Sequence, residues 1–152
     1  MKITASTPIT DFTSKELTTV VINTVQWCFN NLKQPRRHRV FVGIKLTMPD
    51  MHVFISRKRG YDLNPKNNCR GEYNPFINQI IIMKNNIDNF EDLVDTIIHE
   101  YTHSTQSLGS YAKKSLKYGY FDNPFEVEAR TVAAIHTDDC VFDVCKLLNP
   151  NY

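Results

Sequence analysis

Residues 87–108 read "IDNFEDLVDTIIHEYTHSTQSL". Phe90, Leu93, Val94, Ile97 and Ile98 recur at spacings of three and four, the period of an amphipathic helix. Asp88, three residues before Glu91, gives an N-terminal signature, and Gly109 is a natural stop. The helix carries "HEYTH" at 99–103. One helical turn separates His99 from His103 on a common face, with Cβ atoms about 5–6 Å apart. At that separation two imidazole nitrogens can converge on one ion at about 2.0–2.1 Å each. Glu100 is displaced round the helix from both, too far to be a natural ligand but well placed to take a proton from a water activated by the ion. The spacing therefore predicts two ligands and a general base, as a hydrolytic zinc site needs.

A catalytic zinc takes three protein ligands and keeps one position open. Downstream, "YGYFDNPFEVEAR" at 118–130 opens a further helix. Asn123 can cap it, Pro124 fits its first turn, and Ala129, Val132, Ala133, Ile135, Val141, Val144 and Leu147 give it an apolar face running to Leu148. The candidate third ligands are Glu126, Glu128, His136 and the Asp138–Asp139 pair. Glu126 and Glu128 are two residues apart, so only one of them should point at the ion. By spacing alone Glu126 could equally be the capping-box glutamate of "NPFE", paired with Arg130 one turn on.

"HEYTH" followed by "NPFEVEAR" resembles the glutamate-zincin (gluzincin) metallopeptidases, in particular small single-domain metallopeptidase-like chains of phage and virus genomes. The resemblance covers about a third of the chain tightly; the remaining segments share only an order of elements. It implies His99, His103 and Glu126 as metal ligands, Glu100 as base, and Glu128 as a supporting residue or substitute ligand. Arg130 departs from the pattern, because zincins with an aspartate at that place use it to steady a histidine. Asp95, one turn before His99, is a candidate for that task.

Working outward, "TSKELTTVVINTVQWCFNNL" at 13–32 predicts an N-terminal helix with Thr13 and Glu16 as a capping box. "HRVFVGIKL" (38–46) and "HVFISRK" (52–58) read as strands joined by turn chemistry in "TMPD". "GYDLNPKNNCRG" (60–71) reads as a loop, and "EYNPFINQIIIMKNN" (72–86) as a further strand centred on "NQIIIM". Pro75 puts the early part of that segment at a sheet edge or turn. "NQIIIMKNN", directly before the metal helix, holds the position of the strand along which zincins lay an extended substrate. Tyr111, Tyr118 and Tyr120 lie in the connection between the two metal helices. Tyr118 and Tyr120 are the expected donors to the developing oxyanion.

A length of 152 residues suits one domain spanning 1–152, and 41% hydrophobic with 22% charged residues is ordinary globular composition. A net charge of +2 gives no bulk drive toward nucleic acid or membrane. The basic runs Arg36–Arg39 and Arg57–Arg59 flank strand-like segments, where long charged side chains commonly just solvate strand ends; a DNA-associated protease is the alternative they leave open. Neither a signal peptide nor a spanning segment is evident, which predicts an intracellular protein, in the host cytoplasm if the chain is viral, with reduced cysteines. His38, His52 and His136 are lone histidines without partner spacing. The expected fold is a zincin-like α+β domain: an N-terminal helix, a small twisted, mostly antiparallel sheet of three or four strands, the metal helix, and a C-terminal helix bringing Glu126. The expected activity is that of a metalloendopeptidase with one Zn2+ and a peptide or protein substrate. A non-catalytic metal-binding or peptide-recognition protein on the same fold is the rival.

Overall fold

Thr13 and Glu16 exchange both capping bonds: Glu16 N donates to Thr13 Oγ1 at 3.2 Å, and Thr13 N donates to the Glu16 carboxylate at 2.8 Å. They open helix α1, Ser14–Asn31. The structure, a computed structural model, describes residues 2–37, 40–45 and 69–149. The strand expected at 52–58, the "TMPD" turn, most of the 60–71 loop, His38, His52 and Arg57–Arg59 lie outside the described residues.

Helix α2, Phe90–Thr105, begins one residue later than the Asp88 signature implied. Asn89 is its cap, and the Asn89 side chain accepts from Asp92 N at 2.9 Å. Two further N–H groups at this end are satisfied by the N-terminal segment, Phe90 N donating to Thr7 O at 2.9 Å and Glu91 N to Ala5 O at 3.0 Å. Free helix-terminal N–H groups are costly when buried, so this docking fixes where the first residues of the chain run. Asp88 takes part through its carbonyl, which accepts from Ile9 N at 3.0 Å.

The sheet consists of β1 (Phe41–Lys45), β2 (Gly71–Asn74) and β3 (Gln79–Met83) in the order β1-β3-β2. β2 and β3 form an antiparallel hairpin through Pro75–Asn78, where Asn78 takes a left-handed φ of 52° that asparagine tolerates well. β1 pairs with β3 in parallel, in register from Phe41 opposite Gln79 to Lys45 opposite Met83. The sheet is thus mixed rather than mostly antiparallel: only β2 and β3 are close enough in sequence for a tight turn, whereas β1 and β3 are far enough apart for a crossover. β3 is hydrogen-bonded on both sides. The strand expected to offer a free edge is therefore the middle of the sheet, and among the described residues β2 is the edge strand that lies beside α2.

Helix α3, Leu108–Tyr118, occupies what the sequence suggested was a tyrosine-rich connection, and Gly109, the expected stop, lies within it. None of its residues is fully buried, although Leu108, Tyr111 and Ala112 recur at helical spacing. Helix α4, Pro124–Leu148, is capped by Asn123, whose side chain accepts from Phe125 N at 3.0 Å. Its buried face runs through Glu126, Ala129, Ala133, Thr137, Cys140, Val141 and Val144. Ile135 and Leu147, expected on that face, are 63% and 67% exposed; Thr137 and Cys140 fill the helical period instead.

The described residues make an α+β arrangement of four helices and one three-stranded sheet. The core joins Leu17, Val20 and Cys28 of α1 and Ile80 and Ile82 of β3 to α2's Phe90, Val94, Ile97 and Tyr101, closed by Val144 of α4. Each such apolar side chain contributes about 1.5–3 kcal/mol when fully buried. No described helix is long and apolar enough to cross a membrane.

Gly71 marks the closest approach of β2 to α2: a Cβ there would lie 2.6 Å from Thr96 Cγ2 and 3.1 Å from Glu100 Cγ. At Gly109 an added Cβ meets nothing within 4 Å. Gly71→Ala is therefore expected to destabilise the protein by about 1–3 kcal/mol. Gly109→Ala, inside a helix, is expected to be neutral or to stabilise by up to about 1 kcal/mol. Urea unfolding of the two variants checks the contrast, and equal effects would contradict the packing described for β2.

Candidate metal centre

α2 presents His99 and His103 from its last two turns, and α4 presents Glu126 from its first. The two helices pack along the small residues Ala129 and Ala133 of α4, both almost fully buried, which lets the backbones come close. His103 Nε2 lies 3.1 Å from His99 Nε2. Glu126 Oε2 is 3.3 Å from His99 Nε2, and its Oε1 is 3.4 Å from His103 Nε2. Two ligand atoms bound to one ion at about 2.0–2.1 Å and tetrahedral angles stand about 3.3–3.4 Å apart. All three separations fall close to that value. The donor set, two imidazoles and one carboxylate, also suits zinc. Glu126 Oε2 is buried and accepts no aligned hydrogen bond among the described residues, so an acceptor is left over at the point where an ion would sit.

The electrostatics of the ion-free cluster follow from burial. For Glu126, only 2% exposed, desolvation alone would raise the pKa, but His103, His99 and Tyr111 hold its carboxyl well below the usual range. Burial alone would likewise lower the pKa of His103; contacts with Glu126, Glu100 and Gln106 outweigh it and push the value up to about 9. Glu100 is 7% exposed, and burial raises its carboxyl pKa against the opposing pull of His103 and His99. The β2 edge runs past this carboxylate, and the Tyr73 backbone N–H also favours its charged form. Cys69 and Glu72 lie at the same margin. Burial, with the charges of Glu100 and Glu72, pushes the Cys69 thiol up to about 11, and burial with Glu100 pushes Glu72 up to about 8.

The tyrosines of the connection divide. Tyr111 donates to Glu126 Oε1 at 2.5 Å and its ring meets that of His103 edge-on at 5.7 Å. Tyr120 is 58% exposed, yet its hydroxyl end reaches the cluster: burial of that end, then the charges of Glu126 and Glu100, raise the phenol pKa. Tyr118 is not brought to the site; its ring lies under the Lys117 ammonium at 4.9 Å. Asp95 does not support His99, and the described contact of its carboxylate is with the Thr137 hydroxyl at 3.5 Å. His103 instead meets Gln106, with 2.7 Å between Nδ1 and Oε1. The signal for Gln106 was its place three residues after His103, on the same helix face. Glu128 is exposed and bonded to that glutamine, Arg130 donates to Phe121 O rather than pairing with Glu126, and His136 lies against Trp27 at 6.2 Å between ring centroids.

Comparison with family models, with curated proteins and with solved structures finds no match to this chain.

The pKa directions carry a stability consequence for protein held in chelator. His103 has a folded value above its ordinary 6.5, so its contribution is complete below about pH 6.5 and is lost as pH rises through about 9. Glu126 acts oppositely, contributing above the ordinary 4.5 and losing its contribution as pH falls. Urea unfolding in chelator is expected to show stability declining from pH 6.5 to 9, with a shallower decline in His103→Gln. Parallel profiles for the two proteins would show that the His103–Glu126 pair does not form.

Proposed function

We propose that this chain is a zinc-dependent metalloendopeptidase with a zincin-like fold of the gluzincin type, holding one Zn2+ on His99, His103 and Glu126. The observation that carries it is the convergence of these three side chains, all within 4.8 Å ligand atom to ligand atom, beside the buried carboxylate of Glu100. A structural zinc site has four protein ligands and no use for a base, whereas three ligands with an adjacent carboxylate suit hydrolysis.

Zinc bound there supplies Lewis acidity toward a carbonyl oxygen and lowers the pKa of a coordinated water. Glu100 takes the proton of the attacking water as the new C–O bond forms. It then gives that proton to the leaving amine nitrogen as the C–N bond breaks. Burial favours its neutral form and the two histidines its charged form, a balance suited to a group that must hold and release one proton. Burial and then the charges of Glu126 and Glu100 keep the Tyr120 phenol protonated, so it can donate to the oxyanion. Tyr111 is engaged with Glu126 and serves to hold that carboxylate. The outer edge of β2 passes Glu100, so an extended peptide added there would bring its backbone to the base.

Metal analysis and peptide cleavage test the proposal together. Wild-type protein is expected to bind one zinc, with His99→Ala and Glu126→Gln losing it. Glu100→Gln should keep the zinc and lose on the order of 10²–10⁴-fold in peptide cleavage. Zinc retained in both wild type and Glu100→Gln, with neither cutting any member of a broad peptide library, would leave a metal protein and remove the peptidase.

A further inference from the structure

Gln106 joins the candidate ligands to an exposed carboxylate. It is the C-cap residue of α2, and its side chain makes three polar contacts. Nε2 donates to Phe125 O at 3.0 Å and to Glu128 Oε2 at 2.9 Å, while Oε1 lies 2.7 Å from His103 Nδ1. Chemistry decides which way this amide faces. A main-chain carbonyl and a carboxylate can only accept, so the flipped amide would set an oxygen against two oxygens. Oε1 therefore faces His103, and since it too can only accept, Nδ1 must carry a hydrogen. In a neutral imidazole that leaves the lone pair on Nε2, the atom turned toward His99 and Glu126.

We propose that Gln106 is the positioning residue for His103 and that Glu128 locks Gln106 in the one orientation that serves. Gln106 fixes the tautomer and the plane of the ring, the role outer partners of metal-binding histidines commonly play. Glu128 supplies the reason for that orientation to persist: with its carboxylate removed, only the Phe125 carbonyl opposes the flip. The second glutamate of "FEVE" thus acts on the site at one remove. The inference rests on His103 being a metal ligand, and its test is built to tell the two failures apart.

Zinc affinity is measured by competition with a chromophoric chelator for wild type, Gln106→Met, Glu128→Gln, Glu128→Ala and the double variant Gln106→Met/Glu128→Ala. The Co2+ absorption spectrum gives a second readout of ligand geometry, and thermal unfolding in chelator verifies the fold. Methionine keeps the length of glutamine without a strong acceptor for Nδ1–H, whereas Glu128→Gln removes the charge at 128 and keeps an acceptor for Gln106 Nε2–H. Gln106→Met is expected to weaken zinc binding about 10–100-fold and to alter the Co2+ spectrum. Glu128→Gln should stay close to wild type, because its side-chain carbonyl can still accept from Gln106 Nε2. Glu128→Ala should weaken binding less than Gln106→Met and add nothing to it in the double variant, because the two act through one contact. Equal affinities for wild type and Gln106→Met, or a weakened affinity with an unchanged Co2+ spectrum, would overturn the positioning role while leaving the metal site standing. Additive losses in the double variant, or a loss in Glu128→Gln equal to that in Glu128→Ala, would overturn the role of Glu128. A wild type that takes up no zinc would remove the metal assignment itself, and this inference with it.

Discussion

Burying a carboxylate is expensive unless cations and hydrogen bonds replace the water it gives up, and Glu126 is 2% exposed. Its neighbours are the two imidazoles of α2 and the phenols of Tyr111 and Tyr120. This requirement governs how the C-terminal half is assembled. α4 must enter with its first turn over the last turns of α2, and Ala129 and Ala133 permit the close approach. α3 buries no residue fully and is tied into this region through the phenol of Tyr111. At the other end of α4, Trp27 Nε1 donates to Asp143 Oδ2 at 2.8 Å, and Asn149 bonds Ile3 through both its side-chain oxygen and nitrogen. The chain termini and the cluster thus fix the same long helix from opposite ends.

That frame explains which parts of the molecule were legible beforehand. α1 and α2 announce themselves because each buries a stripe at helical spacing and carries local capping chemistry, such as the Thr13–Glu16 exchange. α4 is legible at its start, from Asn123 and Pro124, but less so along its length. Its buried face uses Thr137 and Cys140, while Ile135 and Phe142 point outward at 63% and 67% exposure. Hydrophobicity alone therefore misplaces part of the face. α3 is harder to read, because Leu108, Tyr111 and Ala112 recur at helical spacing over little more than a turn and Gly109 beside them reads as a stop. Strand direction was beyond local reading as well: a strand's alternation says which face is buried but nothing of whether its neighbour runs parallel.

Within the site, residues that address one point from one helix could be found by spacing, and residues that depend on tertiary approach could not. His99 and His103 are related by a single turn, so their proximity needs nothing but a helix. Telling Tyr111 from Tyr118 needs the placement of α3, since the two share one helix face two turns apart and it is Tyr111 whose hydroxyl reaches Glu126 at 2.5 Å. Preferring Gln106 to Asp95 as the partner of a histidine needs the first turn of α4 in place. Until Phe125 and Glu128 arrive, the amide of Gln106 has no reason to face one way.

The two glutamates of "FEVE" show what that arrival accomplishes. Two residues along a helix is a rotation of about 200°, so Glu126 and Glu128 cannot point at the same place. One is buried against His103 Nε2 at 3.4 Å; the other is exposed and reaches His103 Nδ1 only through Gln106. Both therefore act on one imidazole, from opposite nitrogens. A carboxylate against Nε2 alone would favour a proton there, in competition with any ion. An acceptor held against Nδ1 keeps a hydrogen on the far side of the ring, so that the proton an ion would displace is the one on Nε2. In the metal site proposed above the two contacts divide the ring, with Nδ1–H held by Gln106 and Nε2 the nitrogen turned toward the point where His99 and Glu126 meet.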